Sequence, residues 1–279
     1  MKSNPFDNNK KPSWCVGCGH FGVLNSLKAA LHNLEVPPEK TSIVSGIGCS
    51  GRIFQFLSGY NFHSTHGRAL PVAQGIKCGN KDLNVIAAGG DGDGFAIGLN
   101  HTLNAMRRNI DISYIVMSNR VYGLTKGHTS PMSYGGFKTS STPYGTTDNP
   151  IEPILLALSM GTGFVAQGFS GNIKQLTQLI ERAISYKGFS FINVFSPCVT
   201  FNKVNTYKWY QENIYNLDMD SQYNNKDLTS AINKTIESKG LITGVIFEDI
   251  TRQPNETYYV QSNSDMPNKN ELENLINAI

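Results

Sequence analysis

The sequence predicts an α/β fold, a mostly parallel sheet with helices on both faces, followed by a polar C-terminal extension. Short apolar runs alternate with helix-length amphipathic stretches as far as residue 195. Polar and thiol side chains fall just past the ends of several of those runs, at the edge where open parallel sheets gather their ligands. Beyond residue 200 the composition changes and becomes rich in Asn, Lys and Tyr. The expected division is residues 1–200 for the α/β domain and 201–279 for an extension that packs on the core or on a partner subunit.

Residues 20–33 (HFGVLNSLKAALHN) carry apolar side chains at helical spacing, so Cys15 and Cys18 fall in a loop leading into a helix. Residues 41–46 read as a short strand whose exit turn is Gly48-Cys49-Ser50-Gly51. Residues 67–78 read as a helix with Pro71 in its first turn, where a missing amide costs nothing. Asn84 to Ala88 is a buried strand, and Gly90-Asp91-Gly92 follows it. Residues 93–108 form a helix ending in two arginines, which suits its dipole. Residues 112–117 (ISYIVM) are the next strand, with Asn119 just beyond. The stretch 122–149 has no period and is rich in Gly, Ser, Thr and Pro, as in a functional loop. A helix (151–160), a strand (163–168), a helix (172–187) and a strand (189–195) complete the alternation. Leu241 to Phe247 is the one apolar strand candidate in the extension, and no internal repeat occurs.

The net charge of +3 is too small to argue for nucleic acid or an anionic membrane. The polar start of the chain lacks the apolar core of a signal peptide, and no run is long enough to span a bilayer. A cytoplasmic protein is expected. Five cysteines, an odd number, without an export signal argue against a disulfide framework and suit a metal site better.

Asp91 and Asn119 lie past the carboxyl ends of two strands, with the 26 residues 93–118 between Gly92 and Asn119. Mg²⁺ takes about six oxygens, commonly one or two from protein side chains and the rest from phosphates and water. Glycines on both sides of Asp91 would let backbone approach a phosphate closely. Two rival readings fail on counting. A calcium loop starting at Asp91 needs glycine sixth and an acid twelfth, where Ala96 and Thr102 stand. A dinucleotide fingerprint needs glycine at its last position, where Phe95 or Ile97 stands. The spacing resembles the thiamine diphosphate motif, Gly-Asp-Gly followed some two dozen residues later by Asn.

Cys15-x-x-Cys18 is shared by structural zinc sites and redox pairs. Cys49 and Cys198 each follow a strand, at the same sheet edge as Asp91 and Asn119, so the four thiols would form one site beside the diphosphate. Such a set suits zinc or an iron–sulfur cluster. Two ligands standing alone in distant loops favour the cluster. Cys78, on a helix, reads as an inert cysteine.

The stretches Trp14–His20, Gly46–Arg52, Thr65–Ala69, Gly89–Asp93 and Asn119–Gly127 resemble, in order, the β subunit of the 2-oxoacid:ferredoxin oxidoreductases. The resemblance covers roughly the first two hundred residues and implies a thiamine diphosphate-binding fold. By that resemblance Cys15, Cys18, Cys49 and Cys198 would hold a [4Fe–4S] cluster. Asp91, Asn119 and the Val121 carbonyl would bind Mg²⁺. Ile47, Gly48, Cys49, Ser50, His66, Gly92, Asp93, Gly123 and Leu124 would contact thiamine diphosphate, and Lys126 would meet the substrate carboxylate. His128 departs from the family's common Gln, which bears on substrate preference; neither it nor His20 is given a role. The implied reaction converts a 2-oxoacid of the pyruvate or 2-oxoglutarate type and coenzyme A to acyl-CoA and CO₂, with electrons passing to ferredoxin. Only the diphosphate-binding half of a thiamine site fits in this chain, so an α subunit would supply the pyrimidine-activating Glu. The alternatives are a subunit of a non-oxidative thiamine decarboxylase and a non-catalytic zinc-binding subunit.

Overall fold

A computed structural model describes residues 4–255 and residue 277, so the rest of the expected extension lies outside the described residues. The elements run in chain order as α1 (His20–Asn33), β1 (Thr41–Ser45), a 3₁₀ segment (Ser50–Phe56), β2 (Phe62–His63), α2 (Ala69–Gly79) and β3 (Asn84–Gly90). A π-type turn (Asp93–Ile97), α3 (Leu99–Arg108), β4 (Ser113–Ser118), β5 (Val121–Tyr122) and β6 (His128–Thr129) follow. The remainder comprises α4 (Pro153–Ser159), β7 (Phe164–Phe169), α5 (Ile173–Ser185), β8 (Ser190–Phe195), α6 (Tyr207–Asn213), β9 (Tyr215–Asn216), α7 (Leu228–Glu237) and β10 (Ile242–Glu248).

Eight strands make one sheet in the order β2-β1-β3-β4-β8-β7-β10-β9. All neighbours are parallel except β10, which runs antiparallel to β7. β1, β4, β7 and β8 are buried along their whole length, as expected of parallel strands covered on both faces. Successive side chains point to opposite faces and divide the core in two. Ile43, Ile86, Ile115 and Ile192 pack with Val23, Leu27 and Leu31 of α1 and Leu176 and Ile180 of α5. Val44, Val85, Val116 and Phe191 pack on the other face with Ala73 of α2, Ala105 of α3, Ile154 of α4 and Ala231 of α7. The α/β architecture read from the sequence is therefore the one observed.

Four departures from the sequence reading affect the site. β3 continues two residues beyond its expected end, so Asp91 follows the strand directly. The helix expected over 93–108 is split, because the Gly98 N–H bonds the Asp93 carbonyl at 3.1 Å and inserts an extra residue in the first turn. The aperiodic stretch 122–149 holds a short hairpin in which Val121 pairs with Thr129 and Tyr122 with His128. The C-terminal residues also enter the main sheet, as β10 and β9.

Because Ile115 is 1 % exposed between α1, α5 and the sheet, Ile115→Ala should cost about 2–5 kcal/mol of stability. Urea denaturation of the chain measures it, and a cost below about 1 kcal/mol would mean that face repacks without leaving a cavity.

Candidate active site

Four neighbouring strands, β1, β3, β4 and β8, end at one edge. Their exits carry, in spatial order, Cys49, Asp91, Asn119 and Cys198. Asp93 joins the first two loops. Its Oδ1 accepts hydrogen bonds from the Ile47 N–H and the Gly67 N–H, both at 2.9 Å, and lies 2.9 Å from His66 Nδ1. An ionised carboxylate can only accept, so the last contact places a proton on His66 Nδ1. Gly46 is obligatory here, since a Cβ would fall 1.9 Å from Asp93 Oδ2. Gly48 adopts φ +112°, a conformation that side chains rarely tolerate, and so turns the chain toward Cys49.

A cavity of about 570 Å³ opens at this edge. Its lining includes Ile47, Gly48, Cys49, Ser50, His66, Asp91, Gly92, Asp93, Asn119, Val121, Gly123 and Leu124. Every residue expected at Mg²⁺ or the diphosphate therefore faces one space. Asp91 is 2 % exposed, and burial pushes its carboxyl above the usual carboxylate range. The Ser130 hydroxyl opposes that shift by donating to Asp91 Oδ2 at 2.5 Å. Asn119 turns its side chain back on its own loop, where Oδ1 accepts from the Val121 N–H at 3.0 Å. The glycines flanking Asp91 serve protein neighbours as well as any ligand. A Cβ on Gly92 would lie 2.1 Å from Tyr122 Cε1, and one on Gly90 would lie 2.8 Å from Ser50 Oγ. Tyr122 also donates its hydroxyl to the Gly92 carbonyl at 3.2 Å.

A second cavity of about 240 Å³ is lined by Cys15, Cys18, Cys49 and Cys198, with Trp14, Arg52, Lys126 and Phe201. Burial first, and then the neighbouring Cys198, Cys49 and Cys15, push the Cys18 thiol up to about 12. Burial likewise raises Cys49, while the Arg52 guanidinium lowers it. The loops that carry these thiols are tied together. The Trp14 Nε1–H donates to the Cys49 carbonyl at 2.7 Å, the Gly19 N–H donates to the Pro197 carbonyl at 3.0 Å, and His20 Nδ1 lies 2.7 Å from Ser196 Oγ. His20 is fully buried, which lowers its pKa to about 4. Among the described residues, no group of three or more His, Cys, Asp or Glu is drawn together closely enough to grip a metal ion. Cys78 is exposed on α2 and lines neither cavity.

Cys49, Asn119, Gly123 and Leu124 line both cavities. A Cβ on Gly123 would lie 3.6 Å from Cys49 Sγ and 3.7 Å from Cys198 Sγ, so this glycine stands between the spaces. Lys126, expected at a substrate carboxylate, is exposed on the rim of the cysteine cavity at φ +69°. Thr125 and His128 beside it face the larger cavity. Sequence reasoning passed over Ser130, Tyr122 and Arg120. Arg120 is 3 % exposed at φ +60°, donates to the Met132 carbonyl at 2.9 Å and lies over the Tyr134 ring at 4.1 Å. The aperiodic run around Ser130 gave no signal, and Arg120 and Tyr122 sit inside a motif already quoted.

A doubly covered parallel sheet with Asp91 and Asn119 at adjacent strand exits has the form of the diphosphate-binding half of a thiamine-dependent enzyme. Residues 46–194 match the thiamine pyrophosphate enzyme C-terminal TPP-binding domain, and residues 198–263 match the C-terminal part of the pyruvate ferredoxin oxidoreductase beta subunit. The chain is 44 % identical over 210 residues to subunit beta of 2-oxoacid:ferredoxin oxidoreductase 2 from Aeropyrum pernix, covering 75 % of this chain and 68 % of that one. A Sulfolobus sp. 2-oxoacid:ferredoxin oxidoreductase subunit beta is 41 % identical over 264 residues, covering 90 % and 86 %. The solved structure of a 2-oxoglutarate:ferredoxin oxidoreductase from Magnetococcus marinus, with 2-oxoglutarate, coenzyme A and succinyl-CoA bound, superposes with a TM-score of 0.91 at 35 % identity, covering 99 % of this chain and 96 % of that one. The chain belongs to the β subunits of the 2-oxoacid:ferredoxin oxidoreductases.

Replacing Asp93 with Leu strands the Ile47 and Gly67 amides, at about 1–3 kcal/mol for each buried donor left unsatisfied, and releases His66, whose side chain is 38 % exposed. The denaturation midpoint of the purified protein should fall accordingly. An unchanged midpoint would show that other contacts hold these loops.

Proposed function

We propose that this chain, with an α subunit, carries out the coenzyme A-dependent oxidation of a 2-oxoacid to an acyl-CoA and CO₂, delivering the electrons to ferredoxin. The shared wall carries this reading: Cys49, Asn119, Gly123 and Leu124 face both the cavity that fits a diphosphate and the cavity that gathers four thiols. Bound thiamine diphosphate would supply an electron sink for the carbanion left by CO₂ loss, and a [4Fe–4S] cluster would accept electrons singly.

The residues fit both groups. Asp91 is a desolvated carboxylate, and a divalent cation beside it would offset the cost of burying its charge. Asp91, Asn119 and the Val121 carbonyl would give Mg²⁺ its protein oxygens, leaving the remaining positions to diphosphate and water. Ile47 to Ser50, Gly92, Gly123 and Leu124 would line the cofactor, and Asp93 would hold His66 and the Ile47 loop against it. Cys15, Cys18, Cys49 and Cys198 line one cavity. Four thiols, two of them alone in distant loops, would make a Cys₄ set of the kind a [4Fe–4S] cluster takes. Cys18 and Cys49, held up toward the neutral thiol, would have to release their protons as the cluster binds. Lys126, beside the loop that faces both spaces, would meet the substrate carboxylate. The pyrimidine-activating Glu would come from the α subunit, because one diphosphate-binding unit fills the sheet. Among the described residues no helix is long and apolar enough to cross a membrane; the proposed location is the cytoplasm.

Two measurements test this. Cys15→Ala, which alters only the thiol-lined cavity, should abolish ferredoxin reduction in the assembled complex and lower iron and acid-labile sulfide while leaving diphosphate binding largely intact; full electron transfer would remove the cluster assignment. The chain purified without its partner should show no turnover with any 2-oxoacid and coenzyme A, and measurable turnover would show the site to be complete in one subunit.

A further inference from the structure

The turn Ser130–Ser133 touches both exits that carry the metal-binding side chains. The Ser130 hydroxyl donates to Asp91 Oδ2 at 2.5 Å across 39 residues of sequence. Ser133 Oγ donates to the Arg120 carbonyl at 2.7 Å, between Asn119 and Val121. Arg120 returns the contact by donating to the Met132 carbonyl at 2.9 Å. The turn is closed internally: the Ser133 N–H bonds the Ser130 carbonyl at 3.0 Å, and the Ser130 N–H bonds Ser133 Oγ at 2.9 Å. Ser130 and Ser133 are 8 % and 3 % exposed, so water does not compete for these bonds.

We propose that Ser130 is a positioning residue that orients the Asp91 carboxylate and biases it toward holding Mg²⁺ through one oxygen. This rests on the reading that Asp91 and Asn119 hold the ion. A carboxylate can grip a cation with one oxygen or with both, and the choice separates two metals. Mg²⁺ demands a near-octahedral shell at short distance, whereas Ca²⁺ accepts two-oxygen carboxylates in a looser shell of six to eight. The Ser130 hydroxyl takes one lone pair of Oδ2, so a cation that grips both oxygens must share Oδ2 with a buried hydrogen bond, whereas Oδ1 carries no such donor from the turn. Ser133 and Arg120 tie the other arm to the same turn, which adds to the pairing of β3 with β4 in holding Asp91 and the Asn119 loop together. Hydroxyls that orient a metal-binding carboxylate typically contribute about 10–100-fold to metal affinity.

The test uses the assembled complex stripped of divalent ions and cofactor. Mg²⁺ and Ca²⁺ are titrated separately in the presence of thiamine diphosphate, with cofactor binding as the readout. Ser130→Ala should weaken the Mg²⁺ requirement by about 10–100-fold and weaken Ca²⁺ less, lowering the preference for Mg²⁺. Ser130→Thr, which keeps the hydroxyl, should restore the parent preference. Ser130→Cys, close in size but a weak donor, should fall between them and serves if the Ala variant does not assemble. An unchanged Mg²⁺ affinity and Mg²⁺:Ca²⁺ ratio in Ser130→Ala, or in the Cys variant where that one is used, overturns the proposal. A parent complex whose cofactor binding ignores divalent ions overturns instead the reading that Asp91 and Asn119 hold a metal.

Discussion

One carboxylate oxygen organises the working edge of this sheet. Oδ1 of Asp93 receives the amides of Ile47 and Gly67 and the ring of His66, groups from two segments that no strand or helix would otherwise satisfy. The loop leaving β1 is thereby pinned against the turn leaving β3, and Cys49 takes its position only two residues beyond the pinned amide. The π-type turn at Asp93–Ile97 belongs to the same arrangement, closing through the Gly98 amide on the Asp93 carbonyl. Where neighbouring loops must hold fixed distances for a ligand, a buried acceptor shared by several donors is stiffer than separate pairwise contacts.

The cost of the site is visible in its protonation chemistry. Asp91 is pushed upward by burial, and Cys18 and Cys49 are pushed upward by burial and by the neighbouring Cys198 and Cys15. None of these groups is stabilised as an anion where it stands, although anionic forms are what cations and iron clusters bind. The surrounding sheet supplies the compensation, with two faces of packed aliphatic and aromatic side chains behind the edge. At this edge burial works against the charged forms that a bound cation would favour, a pattern common at functional sites.

Much of this was legible in the chain. Asp91, Asn119, Cys49 and Cys198 could be placed because each follows an apolar run, and strand ends in a parallel sheet share one edge. The sheet order itself, which makes those four exits neighbours, has no local signature and came from the fold. Ser130 was invisible because its partner lies 39 residues away and its own segment has no period. The glycines around Asp91 were read as room for a phosphate, and the neighbours that approach them in the fold are Tyr122 and Ser50. Leu241–Phe247 could be read as a strand, while its antiparallel place beside β7 depended on tertiary packing. Lys126 could be noticed as a loop cation; that its rim belongs to the thiol-lined cavity required coordinates.

The partition between the two cavities is thin. Gly123 contributes no side chain to it, and a single methyl group there would touch the sulfur of Cys49 and that of Cys198. Cys49 belongs to both compartments at once. Groups seated on the two sides would therefore be parted by little more than a stretch of backbone and one sulfur atom.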